Sequence, residues 1–116
     1  MIFKNLDSVP RQDVTMEGAK DVKVRVILGP ADEAPTFAMR VFELGPGGHT
    51  PFHSHPFEHE AVILDGRIAS VSSLGTKEHI INDVLLIYPD EEHQFKNLSE
   101  TESARFMCLV PVAYQK

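Results

Sequence analysis

Histidine is the residue type whose placement in this chain points most directly to chemistry. The sequence contains six histidines, and His53, His55 and His59 fall within one short stretch. Residues two apart in an extended strand project to the same face, so His53 and His55 can point together, and His59 keeps the same parity. His93 follows an acidic turn, Pro89-Asp90-Glu91-Glu92, and begins another stretch with strand character. A barrel that brings His93 opposite the other three would place four imidazoles around one point.

Four neutral imidazoles form a donor set for one divalent transition-metal ion. Imidazole binds Mn, Fe, Ni, Cu and Zn, and the residues alone do not select among them. Four such ligands leave two adjacent positions on an octahedral ion, which suits redox or Lewis-acid chemistry. The alternative is that these histidines are ordinary surface or hydrogen-bonded residues. Because the histidines are clustered and share one strand parity, the metal site is the favoured interpretation.

The same stretch also matches a protease signature. His55-Pro56-Phe57-Glu58-His59 has the H-x-x-E-H pattern of inverted zinc proteases, in which a helix carries both histidines and Glu58 is the base. Pro51 and Pro56 disfavour the two-turn helix that this chemistry needs. The better prediction is therefore a metal site carried by strands and turns.

Short strands separated by turns must position these histidines. Eight prolines and seven glycines punctuate the chain, and the intervals between turn signals are typical of an all-β sandwich or barrel. A short helix is predicted near residues 7–17. His79 lies in a predicted polar strand, and we expect its side chain at the surface. Alternation and β-branched residues predict strands at residues 22–28, 36–44, 60–64, 67–72, 77–81, 84–88, 94–96 and 104–110.

Length and charge exclude several classes of protein. A chain of 116 residues fits a single domain, residues 1–116. Its net charge of −6, without a Lys/Arg cluster, argues against a nucleic-acid partner. No apolar run approaches a membrane span and no secretory signal is present, so we expect a cytoplasmic protein without a membrane partner. The single cysteine, Cys108, excludes an internal disulfide and a cysteine-based zinc site.

Two spaced motifs give the chain a family resemblance. The first motif is a glycine, then the H-x-H pair, then a closing glycine. The second motif ends in a histidine and an asparagine. Together the two motifs span about residues 45–97. The matching residues are Gly47, His53, His55, Gly66, His93 and Asn97. This pattern resembles the cupin superfamily. The chain departs from it at position 59, where a histidine replaces the glutamate and Glu60 should face outward, and at Asn82, which replaces a glycine and tolerates positive φ.

The resemblance implies a fold and a metal centre. It implies a double-stranded β-helix, or jelly-roll, barrel that forms a homodimer and holds a metal inside one end. With a histidine at position 59, the chain is similar to compact cupins that bind manganese or a similar metal through four histidines. The implied ligands are His53, His55, His59 and His93, with Mn or Fe favoured and Ni, Cu or Zn open.

The resemblance also implies a function. The first hypothesis is an oxidoreductase, a metal-dependent dioxygenase that acts on a small organic substrate with O2 or peroxide. The alternatives are a non-catalytic cupin that binds or senses a metabolite, and a metal-dependent isomerase. We expect Arg40 to point into the cavity as an anion clamp, although a surface arginine is the open alternative.

The pocket walls are predicted from strand parity together with the resemblance. Phe95 shares the parity of His93, and Phe106, Cys108 and Val110 share one face of the last strand. We expect these residues to surround the metal, with Cys108 and Arg40 as candidate catalytic residues. For Cys108 the alternative is a small buried hydrophobic residue.

Overall fold

The computed structural model describes residues 1–115 and has the predicted all-β fold. Three short 3-10 helices, Leu6–Ser8, Pro30–Asp32 and Val112–Tyr114, accompany the strands. The predicted helix near residues 7–17 is wrong, because that segment forms one 3-10 turn and a strand that pairs with its neighbour. The strands are β1 Gln12–Asp13, β2 Lys20–Leu28, β3 Phe37–His49, β4 His59–Asp65, β5 Ile68–Ser72, β6 Gly75–His79, β7 Val84–Ile87, β8 His93–Asn97 and β9 Ala104–Pro111.

The strands form one curled antiparallel sheet, which closes into the predicted jelly-roll barrel. Its order is β6-β5-β8-β3-β9-β4-β7, and β2 pairs with β3 and with β1. The long strand β3 joins the two halves of the barrel. Its first part pairs with β9 over residues 37–44, and its last residue, His49, pairs with Lys96 of β8.

Inward-facing apolar side chains make the core. In β9 every second residue is buried, namely Ala104, Phe106, Cys108 and Val110, as expected for a strand with one face inside. The Phe106 ring stacks on Phe42 at a centroid distance of 5.1 Å. The same two residues are partners in the β3–β9 pairing, and this register places Cys108 opposite Arg40.

Two turns have the backbone conformation that their residues predict. Asn82 adopts a φ of 74°, which confirms that asparagine takes the place of the family's glycine in a left-handed turn. Gly66 adopts a φ of 79°, and a Cβ there would lie 2.8 Å from the Cβ of Ala104. Glycine is therefore needed at residue 66 both for the turn and for the close approach of β9.

His79 is buried, so the expected surface position is wrong. Its side chain lies opposite Ile68 in the β5–β6 pairing, and only 8% of the residue is exposed. Its Nε2 lies 2.7 Å from Oγ of Ser70. Ile68 is fully buried, and the pairing register carries His79 to the same inward face.

The outer face of the sheet carries a groove lined by apolar side chains. Val62, Val84, Leu86, Met107 and Leu109 line this groove, with Glu60 at its edge. Val84 is 76% exposed. Apolar residues thus occupy positions that a solvated antiparallel sheet normally gives to polar residues. No helix within residues 1–115 is long and apolar enough to cross a membrane.

Candidate metal centre

The main chain pairs His53 with His93. The amide of His53 donates to the carbonyl oxygen of His93 at 3.1 Å, and the amide of His93 donates to the carbonyl oxygen of His53 at 2.9 Å. The amide of Asp90 donates to the carbonyl oxygen of His55 at 2.8 Å, which anchors the loop after β3 to the turn before β8. Residues far apart in sequence are thereby fixed side by side at one end of the barrel.

Three imidazoles converge in the cavity behind this pairing. One ring nitrogen from each of His53, His55 and His93 lies within 4.8 Å of the other two. The ring centroids are 5.0 Å apart for His53 and His93, and 5.0 Å apart for His55 and His93. Metal–nitrogen bonds of about 2.0–2.1 Å would draw such a set together by small side-chain rotations. These three residues could therefore hold one metal ion.

His59 lies beside this group. It begins β4, is 8% exposed, and pairs with Ile87 of β7. Its ring centroid is 4.2 Å from that of His55 and 5.3 Å from that of His93, and its Nε2 contacts Nε2 of His55. The structure thus brings all four predicted ligands to one cavity, with three in the tighter group. The H-x-x-E-H segment is not helical, and Glu58 lies outside the cavity lining.

Hydrogen bonds at Nδ1 orient the rings for metal binding. Nδ1 of His55 lies 3.0 Å from the carbonyl oxygen of Phe57, and Nδ1 of His93 lies 2.8 Å from that of Glu91. A carbonyl only accepts, so each Nδ1 carries the proton and each Nε2 keeps its lone pair. A metal-binding histidine needs a hydrogen-bond partner for the ring nitrogen that does not bind the metal. The donor chemistry therefore fits a transition metal.

Burial keeps His53, His55 and His59 neutral. Desolvation, assisted by the charges of His93, His55 and Arg40, lowers the pKa of His53 to about 4. Desolvation, with His55 and Arg40 as the next causes, lowers the pKa of His59 to about 2. The pKa of His55 is also lowered, mainly by burial. Neutral imidazole is the form that binds metal, so protons compete little near neutral pH.

Arg40 points into the cavity from β3. Its Nη2 lies 3.3 Å from Nδ1 of His59 and 3.3 Å from Sγ of Cys108, and its Cζ lies 4.8 Å from the Phe42 ring centroid. Within residues 1–115 it forms no ion pair, and its buried Nε has no hydrogen-bond partner. A half-buried guanidinium without an anion is costly. The arrangement can therefore accept an anionic group of a ligand.

Cys108 lies between Arg40 and His59. It is 1% exposed, and its Sγ is 2.7 Å from Nδ1 of His59. Burial raises the pKa of its thiol, which keeps the sulfur protonated near neutral pH. A nucleophilic role needs the thiolate, so this environment disfavours it.

Aromatic side chains form the cavity walls. The cavity has a volume of about 420 Å³, and Phe95 and Phe106 line it together with the four histidines, Arg40 and Cys108. Val110 shares their strand face and belongs to the same buried cluster, but it is not among the residues that line the cavity. Among the described residues, no aspartate or glutamate lines this cavity.

Sequence reasoning missed part of the wall. Phe57 stacks between His55, at 4.0 Å, and Tyr114, at 4.2 Å. Phe42 also lines the cavity, and its shared parity with Arg40 on β3 was the signal that could have found it. Phe57 lies in a loop and Tyr114 in the last 3-10 turn, where no periodicity predicts direction.

Comparison with known proteins identifies the family. The model of the Cupin_2 family, described as a cupin domain, matches residues 40–110. The chain is 30% identical to the polyketide cyclase RemF from Streptomyces resistomycificus, with a TM-score of 0.90, over 97% of this chain and 80% of that one. A cupin-2 domain protein from Rhodospirillum rubrum gives 25% identity and a TM-score of 0.84, over 99% of this chain and 77% of that one.

A curated relative matches over a shorter region. The chain is 32% identical over 75 residues to 1-methylthio-D-xylulose 5-phosphate methylsulfurylase of Rhodospirillum rubrum. That match covers 65% of this chain and 47% of the relative, so the chain spans about half the length of the curated relative. The family match over more than half of the chain, the jelly-roll barrel and the histidine cavity agree, and the chain belongs to the cupin superfamily.

Proposed function

We propose that this protein is a metal-dependent enzyme that acts on a small organic anion, with one divalent metal held by His53, His55, His59 and His93. The observation that carries the proposal is the convergence of these rings beside an arginine that has no carboxylate partner within residues 1–115. Manganese or iron remains the favoured ion. Nickel, copper and zinc are compatible with the same donors.

The chain's own residues bind and orient the substrate. Arg40 would bind a carboxylate or enolate oxygen through its Nε and Nη2 atoms. The Phe57–Tyr114 stack and the Phe42–Phe106 stack would hold a flat, unsaturated body. When bound, the metal supplies Lewis acidity toward a substrate oxygen.

Ring closure of a poly-carbonyl compound is the reaction class that we propose. In such a closure the carbon of an enol forms a bond to a carbonyl carbon, the π electrons of that carbonyl move to its oxygen, and the proton lost from the enol hydroxyl ends on the same oxygen. Loss of water can follow. The flat aromatic walls and the similarity to a polyketide cyclase over 97% of this chain support this class. Arg40 would stabilise the anionic oxygen of the enolate.

A dioxygenase is the second candidate. A metal held by the four histidines would supply redox chemistry toward O2, and the absence of a carboxylate from the lining formed by residues 1–115 favours chemistry that needs no separate base. A metabolite-binding role without turnover would use the same Arg40 and metal contacts.

One pair of assays separates these functions. Protein loaded with Mn, Fe or Zn is incubated with a linear poly-β-carbonyl acid bearing an aryl end, under nitrogen and under 18O2. We expect cyclised product in both atmospheres without oxygen uptake. His53→Ala should abolish turnover, and Leu74→Ala, at an exposed site, should not. Oxygen uptake with 18O in the product would support the dioxygenase instead, and tight binding without turnover would support the binding role.

A further inference from the structure

Cys108 connects the fourth histidine to the arginine. In β9 it lies opposite Arg40 of β3 on one side and Ala61 of β4 on the other. Its Sγ is 2.7 Å from Nδ1 of His59 and 3.3 Å from Nη2 of Arg40. The sulfur therefore contacts both Arg40, which β3 carries, and His59, which β4 carries.

The donors and acceptors around this sulfur can be assigned. A guanidinium only donates, so Sγ accepts from Arg40. Sγ lies 3.9 Å from the carbonyl oxygen of Leu109, which is the acceptor available to its S–H. Nδ1 of His59 lies 2.7 Å from this sulfur and 3.3 Å from Nη2 of Arg40, which cannot accept. When Nε2 of His59 binds a metal, Nδ1 carries the proton, and Sγ is then the acceptor available to it.

The four-histidine set thus has two kinds of supporting acceptor. Backbone carbonyl oxygens of Phe57 and Glu91 accept from His55 and His93. No carbonyl does this for His59 among the contacts of residues 1–115; its Nδ1 contacts Cys108 and Arg40. An N–H facing an acceptor fixes both the tautomer and the rotation of a metal-binding ring.

We propose that Cys108 is a positioning residue that holds His59 in its metal-binding tautomer, as backbone carbonyls do for His55 and His93. The inference rests on the proposed function, because it requires His59 to be the fourth ligand. Since Arg40 donates to the same sulfur, the anion-binding group and this ligand belong to one hydrogen-bonded unit. Sulfur is a weak acceptor, so His59 is the ligand held least firmly.

Two substitutions separate this hydrogen bond from simple packing. Cys108→Ala removes the acceptor, and Cys108→Ser keeps one on a side chain of similar size. Co2+ affinity is measured by competition with a chromophoric chelator, and the visible spectrum of the Co2+ protein reports the ligand set. We expect Cys108→Ala to weaken Co2+ binding about 10- to 100-fold and to change the spectrum, and Cys108→Ser to recover most of the affinity.

The same pair of measurements in a His59→Ala background shows whether the sulfur acts through His59. Cys108→Ala should then cause no further loss, since its partner is already gone. An equal loss with and without His59 would overturn the inference, as would unchanged affinity in Cys108→Ala or an equal loss in Cys108→Ser. Melting of each metal-free variant monitors the fold. If the wild-type protein itself fails to bind Co2+, the proposed function fails and the inference fails with it.

Discussion

Lowering the pH should destabilise the metal-free protein, because its clustered histidines resist protonation in the folded state. Burial lowers the pKa of His53 to about 4 and that of His59 to about 2. In the unfolded chain both pKa values return to about 6.5. The unfolded state therefore binds more protons below pH 6.5. Stability is fully present above that pH and is lost as the pH falls toward the folded pKa values.

The size of the effect follows from the proton count. At pH 5 an unfolded histidine is about 97% protonated, whereas folded His53 is about 10% protonated and folded His59 almost not at all, so unfolding takes up roughly two protons. Each proton corresponds to about 1.4 kcal/mol per pH unit. His53 is partly exposed to solvent, which reduces its share. We expect the free energy of unfolding to fall by about 1.5–2.5 kcal/mol per pH unit near pH 5.

Urea unfolding with a chelator present measures this slope. The chain contains no tryptophan, so far-UV circular dichroism is the suitable signal. His59→Asn should reduce the slope by about 1.4 kcal/mol per pH unit, because one proton no longer distinguishes the two states. Stability that stays constant or rises from pH 7 to pH 5, or an unchanged slope in His59→Asn, would refute the reasoning.

Three further outcomes are expected. Asn97→Ala should lower the free energy of unfolding by about 3 kcal/mol in urea titrations, because the two N–H groups of the buried Nδ2 are shared among three backbone carbonyls. Gly66→Ala should cost more than Gly75→Ala in the same assay, since both have positive φ but only at residue 66 does the new Cβ meet another side chain. We propose that the apolar outer groove forms the homodimer interface, so light scattering should give about twice 13.0 kDa and Val84→Glu should shift the mass toward one chain; a wild-type mass of one chain would contradict this.

Strand parity explains how much of the site could be predicted. His53, His55 and His93 converge as their positions in extended segments require, and Arg40 shares an inward face with Phe42. The parity of a residue decides on which face of its strand the side chain lies, but not how far along the barrel axis the side chain is placed. Val110 therefore has the predicted buried face and still is not among the residues that line the cavity.

Other features depend on long-range pairing. His79 is buried because β6 pairs with β5 in a register that sets it opposite Ile68, and a single strand does not reveal its partner. The Phe57–Tyr114 stack joins a loop to the C-terminal turn, where backbone geometry is not periodic. The contact of Cys108 with His59 likewise requires the β4–β9 pairing.

Anomalous-difference crystallography of the metal-loaded protein tests the central claim most directly. A single metal peak should lie at the end of the barrel, with Nε2 atoms of His53, His55, His59 and His93 each about 2.0–2.2 Å away. A fully loaded protein whose metal lies outside this cavity, or is bound without His53, His55 and His93, would contradict the account.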